Sequence, residues 1–402
     1  MRASLVKLAV SGVCGLAAIP TPAGASDTGQ VPLVSDLRAY MHGIGAVRDA
    51  AGGYYVFFSS SGLPPRGPGP DRNWTHDVYV AQWSPRTGVL ARPRIFIARP
   101  EAQEPVSVAQ NDAGRIMVTF EDGWNTPDEV SQRYGIYTPQ LKGVRPYPVD
   151  VRAGAHSGHV AAVGARFVVF YSEDWVEGGG VDNLGTGGGV YARIFDANGA
   201  MLRAVDVAPH VREWWPMIAG SPTRALLVWQ QYVSGEHYSR LKVAVLDPQS
   251  GSLGDARVIA PRVRYYTYGT AFVPSIDRFL VVATDADGKG FAQLVDRQGA
   301  TTATLACMPA SVREAGITVV DANAYTPSAD GRLLHLRMTP STIEFVATQH
   351  SPIAWTYLGS VGLVRSPTRL HWVALSPQGL QEAEFDLSAE RPATPADKCE
   401  GA

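Results

Sequence analysis

The chain has 402 residues, 45% of them hydrophobic and 18% charged, with a formal net charge of −2. That balance offers no basic surface for neutralising phosphates, which counts against a nucleic-acid-binding protein. Three cysteines are too few for a disulfide-built scaffold, and no segment approaches the ~20 apolar residues of a membrane-spanning helix.

The first charges are Arg2 and Lys7; an apolar run over residues 8–19 follows, then Pro20, Pro22 and the small triplet Ala23-Gly24-Ala25. A basic start, a short apolar stretch and an A-x-A-like site in that order are a secretory signal. Cleavage is expected after Ala25, with export by a Sec-type route to the periplasm or the outside. A lipoprotein anchored at Cys14 is the competing reading, but Ser11-Gly12-Val13 is a poor match to the small residue needed before such a cysteine. Loss of residues 1–25 removes two positive charges, so the mature chain is more acidic. It keeps only Cys307 and Cys399. In an oxidising compartment these two are expected to pair, pinning the polar tail (389–402) onto the body; two separate thiols are the alternative. With no third cysteine, a Cys-based zinc site is not expected.

From there one pattern repeats: a short strand, a polar turn, then a strongly apolar strand of aromatic and β-branched residues. These strands begin at Tyr54 (YYVFFSS), Ile116 (IMVTFED), Phe167 (FVVFYSED), Leu226 (LLVWQQ), Phe279 (FLVVATD), Leu333 (LLHLRM) and Leu370 (LHWVALS). The preceding turns, such as Asn111-Asp-Ala-Gly-Arg and Ala329-Asp-Gly-Arg, carry the Gly, Asp and Asn residues that hairpins use. A third strand with period-two alternation follows in several repeats, at 78–83, 190–195 and 241–246, and outer strands are read at 94–98 and 204–208. The spacing of roughly fifty to sixty residues suits one four-stranded blade per repeat. The fold class read from this is all-β: a β-propeller of seven four-stranded blades, with six as the alternative. The last repeat supplies only three strands (362–365, 370–376, 380–387), and residues 31–37 are expected to close the ring as its missing fourth. Residues 26–388 then form one domain.

In a propeller the innermost strand of each blade starts at one face, and the loop between its second and third strands returns there. The innermost strands are read from His42-Gly43, Gln103-Glu104, Gly158-His159, Trp214-Trp215, Tyr268-Gly269 and Asn323. Their approaches add Glu101, His156, Arg212, Glu213, Tyr265 and Tyr266. The returning loops add Trp74, His76, Asp122, Trp124, Glu173, Asp174, Trp175, Gln231 and Asp285. Long loops, carboxylates, histidines and tryptophans on one face point to binding there. Aromatic rings give flat surface for the apolar faces of sugars, and acids, amides and Arg take their hydroxyls. The expected partner is therefore a polysaccharide or oligosaccharide, bound by a monomer. Trp83, Trp229, Trp355 and Trp372 fall inside predicted strands and are read as core. His42, Trp74, His76, Trp124, Trp175, Glu213, Trp214, Trp215, Tyr265, Tyr266 and Gln231 are the candidate substrate-binding residues.

For catalysis, His156 and His159 lie three apart in an extended approach to a strand and can reach one small centre as metal ligands, as a general base or as neutralisers of a uronate carboxylate. Packing against a neighbouring blade is the competing role. Glu104, Asp122 and Asp174 are candidate acids for a glycosidase, which needs two carboxyl groups ~5 Å apart for retention or roughly 6.5–9.5 Å for inversion. Arg212 is a candidate cation. Glu177, Asp182 and Asn183 in the glycine-rich run 177–189 could supply oxygen ligands to calcium, so a divalent ion, Ca²⁺ or Zn²⁺, is the cofactor the pattern allows. That run lacks the Gly-Lys-Ser/Thr ending of a P-loop, and the chain has neither a Gly-x-Ser-x-Gly elbow nor a His-Glu-x-x-His.

The turn and apolar strand ending in Tyr-Ser at 158–172 (GHVAAVGARFVVFYS) resemble the bacterial-neuraminidase-type repeat of secreted β-propeller enzymes. That group includes sialidases, other propeller glycosidases and polysaccharide lyases such as ulvan lyases. The resemblance implies a carbohydrate-active site at the propeller mouth. The Ser-x-Asp-x-Gly-x-x-Trp box and arginine triad of sialidases are absent, which speaks against that activity. A lyase-type site would place His156, His159, Tyr265, Tyr266 and Arg212 around a uronate. A non-catalytic carbohydrate-binding or scaffold propeller is the alternative. Mass spectrometry of the exported protein should find Ser26 as its first residue; an intact N-terminus, or a lipid on Cys14, would overturn the export reading.

Overall fold

The structure is a computed structural model that describes residues 41–66, 75–100, 102–123, 130–180, 185–314 and 316–399, all within one compact unit. The proposed signal peptide and the strand expected at 31–37 lie outside the described residues, as do Trp74, Glu101, Trp124, Asp182 and Asn183. Described secondary structure is almost entirely antiparallel β-sheet, broken only by short 3₁₀ turns such as Pro274–Ile276 and Leu387–Ala389. No described helix is long and apolar enough to cross a membrane.

The first sheet joins Met41–Arg48, Tyr54–Ser60 and Asp77–Ser84, with Val89–Leu90 and Arg94–Ile97 at its edge. The second joins Ser107–Gln110, Ile116–Asp122, Ser131–Tyr137 and Gly143–Ala153, and the third Ala155–Val163, Arg166–Glu173, Val190–Phe195 and Met201–Ala208. An eight-stranded sheet follows, because one long strand, Arg257–Val273, serves two partners. Its first half pairs with Ser239–Asp247 and its second half with Arg278–Asp285. The next sheet runs Thr318–Val320, Asn323–Pro327, Arg332–Thr339, Thr342–His350, and the last has three strands, Ser360–Ser366, Arg369–Ser376 and Gly379–Asp386.

Alternation along each strand explains why the sheets stack: successive side chains point to opposite faces, so a strand apolar on both faces must be covered twice. Phe167 and Val169 pack against Met117, Tyr134 and Ile136 of the second sheet, whereas Val168 and Phe170 meet Leu227, Trp229 and Ala244 of the eight-stranded sheet. Equivalent apolar layers lie between all successive sheets, and Val56 and Trp83 of the first pack on Leu363 and Val373 of the last. Each such fully buried side chain contributes roughly 1.5–3 kcal/mol relative to exposure. The innermost strands also pack in sequence order, and Ser360–Ser366 packs on Met41–Arg48. Trp83, Trp229 and Trp372 are fully buried, as expected; Trp355 lies outside any strand but packs on Trp372.

One register differs from the sequence reading. Asn323–Pro327 is the second strand of its sheet and the apolar Arg332–Thr339 the third; the innermost is the three-residue Thr318–Val320. Such a short strand shows no periodicity, so the stronger pattern downstream was assigned one place too far in. On the side away from the innermost strands' starts, turns are short and capped by their own acids. Asp196 and Asp296 each accept two backbone N–H bonds, at 2.8–2.9 Å, across an Asp-x-x-Gly turn.

The C-terminal segment is built into the body. Arg391–Pro392 adds to the Thr342–His350 edge, Arg332 reaches Asp397 at 2.5 Å, and Cys399 is bonded to Cys307, 92 residues away. Replacing both cysteines with serine should cost about 2–4 kcal/mol in denaturant unfolding. An unchanged unfolding free energy would mean that the Arg332–Asp397 pair holds the tail unaided.

Candidate functional site

The innermost strands do not begin straight. Pairing registers slip between His42 and Ile44, His156 and His159, Trp214 and Met217, and Val263 and Tyr268. Each slip contains a residue in the left-handed region: Gly43 (φ 70°), Ser157 (55°), Trp215 (58°) and Tyr266 (63°). Glu314, just before the Thr318–Val320 strand, is left-handed as well (53°). Only glycine adopts this conformation freely; for other residues it costs of order 1–3 kcal/mol. Bulges re-aim side chains, and these aim several toward one place.

There, Trp214 packs against Tyr232, Tyr265 and Tyr266, and its Nε1–H donates to the Tyr266 hydroxyl at 3.2 Å. Trp215 meets Tyr266 edge to face, 4.3 Å between centroids. The Arg313 guanidinium lies 4.7 Å from the Trp215 ring centre, 4.6 Å from Tyr266 and 5.8 Å from Tyr357, a desolvated cation–π cluster. Arg313 and His42 both sit 3.4 Å from Oε1 of Glu314. That is ion-pair distance and longer than a well-formed hydrogen bond. Among the described residues neither ring nitrogen of His42 nor Oε1 of Glu314 has a hydrogen-bond partner, although His42 is only 1% exposed. Burial pushes the Glu314 carboxyl up, but His42, Arg313 and His159 outweigh it and hold it down at about 2.

Beside this cluster is a cavity of about 190 Å³ whose wall draws on every innermost strand or its approach, with Glu314 and His159 among the lining residues. Burial also lowers His159 below the usual imidazole range, so it stands neutral at neutral pH. Its Nδ1 lies 3.2 Å from the Ser157 carbonyl. His156 is turned away: Nδ1 meets Ser157 Oγ at 3.0 Å, Nε2 meets the Asp174 carbonyl at 3.2 Å, and its ring packs on Trp175. The two histidines of the His-Ser-Gly-His run therefore face different surroundings.

The candidate carboxylates are largely committed to structural partners. Glu104 is fully buried against His76. Asp122 accepts from Arg133 at 2.6 Å, from Gln103 at 3.1 Å and from the Tyr147 hydroxyl. Glu213 accepts from Lys242 at 2.7 Å, from Gln231 at 3.0 Å and from Trp229. Asp174 alone of these is exposed, and Trp175 beside it is 49% exposed. Arg212 lies over the Tyr232 ring, 3.8 Å from its centre, and donates to Thr186 and to the carbonyls of Glu177 and Gly178. Among the described residues no group of three His, Cys, Asp or Glu side chains is placed to hold a metal ion.

No protein-family model matches the chain, and no curated protein matches it. Solved structures do. A chain of hydrazine synthase from Kuenenia stuttgartiensis is similar over 88% of this chain and 98% of its own, with 11% identity and a TM-score of 0.52. A chain of the mitotic checkpoint complex is similar over 93% of this chain and 98% of its own, with 12% identity and a TM-score of 0.50. The likeness is one of fold. It is the weak, fold-level resemblance to propeller proteins expected from the strand rhythm, and the site must be read from its own chemistry.

Sequence reasoning missed Arg313, Glu314 and Tyr357. The misplaced strand at Asn323 hid the first two: had Thr318–Val320 been read as innermost, its approach Ser311-Val-Arg-Glu would have stood out as the counterpart of Arg212-Glu213.

Two of these groups make the fold acid-sensitive. Burial pushes His156 down to about 4 from an ordinary 6.5, and Glu314 lies at about 2 against 4.5. In both cases the unfolded chain binds the proton more readily. Their stabilisation is complete above the unfolded values and is lost as pH falls, from 6.5 to 4 for His156 and from 4.5 to 2 for Glu314. Urea midpoints measured down a pH series should fall below pH 6.5; His156→Gln should flatten the upper part and Glu314→Gln the lower. Midpoints that rise on acidification would refute the assignment.

Proposed function

We propose that the chain is an exported seven-bladed β-propeller, closed by residues 31–37, that acts on a polysaccharide or oligosaccharide at the face where its innermost strands begin. The cyclic order of strand packing and the three-stranded last sheet support the architecture. The observation that carries the function is the cluster of His42, Arg313, Trp215 and Tyr266 around Glu314, which with His159 lines an axial cavity. Aromatic surface, a cation and an imidazole beside a carboxylate are what recognition and proton abstraction on an acidic sugar require.

Of the two enzyme classes the sequence left open, a lyase fits better. A hydrolase on Glu104 with either Asp122 or Asp174 would have to draw on a Glu104 already bound by His76, and in the first pairing on an Asp122 bound by Arg133. In the lyase reading His42, with no hydrogen bond at either nitrogen and Glu314 beside it, takes the proton next to a uronate carboxyl. His159, neutral and lining the cavity, assists, and the exposed Trp175 gives the chain a stacking surface at the rim. A non-catalytic carbohydrate-binding propeller is the second reading. The burial of His42 and Arg313, 1% and 4% exposed, favours it, because a substrate reaches them only by displacing their cover.

The test is activity of residues 26–402 on acidic and neutral polysaccharides, following unsaturated-uronate absorbance and reducing ends, with and without chelator. The lyase reading expects new absorbance, lowered about 10²–10⁴-fold by His42→Gln. Reducing ends without absorbance would move the chemistry to the carboxylates. Binding without either signal would establish the non-catalytic propeller, and loss of activity with chelator would bring back a Ca²⁺ or Zn²⁺ cofactor.

A further inference from the structure

The axial cavity combines small size with incomplete hydrogen bonding around its carboxylate. At about 190 Å³ it is below the ~300 Å³ at which ligand pockets usually begin. Its lining residues come from the approaches or starts of the innermost strands described above. A polymer cannot lie across such a cavity; it can only put an end into it. The lining residues include the apolar Ile44 and Met217, the acidic Glu314, and Ser107, Thr270 and Ser360, whose hydroxyls already bond to the backbone of Val160, Leu280 and Gly316. Buried polar atoms nearly always have hydrogen bonds, yet among the described residues Oε1 of Glu314 has only the 3.4 Å ion-pair contacts to His42 and Arg313, and Nδ1 of His42 has no hydrogen bond. A carboxylate in that position calls for donors, and apolar residues in the same lining call for C–H surface.

We propose that this cavity is a subsite for one terminal sugar residue, whose hydroxyls donate to Glu314, so that the protein engages its saccharide end-on and not along the middle of a chain. This rests on the carbohydrate reading above and sharpens it. It assigns Glu314 a ligand-binding role and predicts chain-end selectivity, neither of which follows from carbohydrate binding alone.

The experiment is saturation-transfer NMR on the mature protein. The first probes are glucose, galactose, mannose, rhamnose, N-acetylglucosamine and glucuronate; the second are linear oligosaccharides of whichever sugar binds, with free and with capped termini. The expected result is that at least one monosaccharide binds. The linear oligosaccharide should then show transfer concentrated on a terminal residue, and capping that terminus should weaken binding at least tenfold. Glu314→Gln should weaken the monosaccharide at least tenfold. Should that variant unfold, Met217→Phe, which adds bulk at another lining position, should do the same. Transfer spread over internal residues, equal binding of the capped form, or an unaffected folded Glu314→Gln variant would overturn the proposal. If polysaccharide binds while no monosaccharide does, the end-on subsite falls and the carbohydrate reading stands. If no saccharide binds at all, both fall.

Discussion

The innermost strands approach one another more closely than side chains ordinarily allow, and most of the rest follows from that. A Cβ on Gly45 would sit 2.7 Å from Val108 Cγ2, and one on Gly316 would sit 2.5 Å from the Ser360 carbonyl oxygen. Backbone packed this tightly around an axis leaves room for only a small cavity. Four of these strands also bend near their starts. The bends are the register slips at His42, His156, Trp214 and Val263, and left-handed residues absorb them. Ser157, Trp215, Tyr266 and Glu314 hold that conformation without being glycine. Strain of this kind persists only where the surroundings over-determine it, and here it lies at the starts of the innermost strands and at Glu314.

Bending buries polar side chains, and burial then dictates their partners. A charge taken out of water is tolerated when an opposite charge and hydrogen bonds replace the solvent. Glu104 with His76, Asp122 with Arg133 and Tyr147, and Glu213 with Lys242 and Trp229 satisfy that rule and act as posts under the loops. The same Asp122 charge, with burial, raises the Tyr147 hydroxyl far above the usual phenol range, so it remains a donor. The Glu314 surroundings obey the rule only in part. Its charge is balanced by Arg313, but its hydrogen bonds are not complete. The difference between a satisfied post and an unsatisfied carboxylate on a cavity separates supporting acids from the one placed to meet a ligand.

The comparison between sequence and structure turns on separation along the chain. The apolar strands from Tyr54 to Leu370, the Asp-x-x-Gly turns and the three-stranded last sheet were readable because strand alternation and turn chemistry are properties of a few adjacent residues. The Cys307–Cys399 bond was readable because two cysteines admit one pairing. The register of the sheet that begins at Thr318 was not, since three residues carry no period.

What the sequence by itself determined, then, is the β rhythm, the chemistry of the turns and the concentration of His, Trp and acidic residues before the innermost strands. What only the tertiary structure decided is which of those residues are consumed and which are left facing the cavity. His76 meets Glu104 across 28 positions, Trp214 reaches Tyr266 across 52, and Arg313 lies over Trp215 from the turn that precedes Thr318–Val320. Hydrogen bonds and ion pairs depend on distance in space at the scale of an ångström, and no local pattern encodes that. Glu104, Asp122 and Glu213 therefore became supports, and an unremarked Arg-Glu pair beside a short strand became the centre of the candidate site.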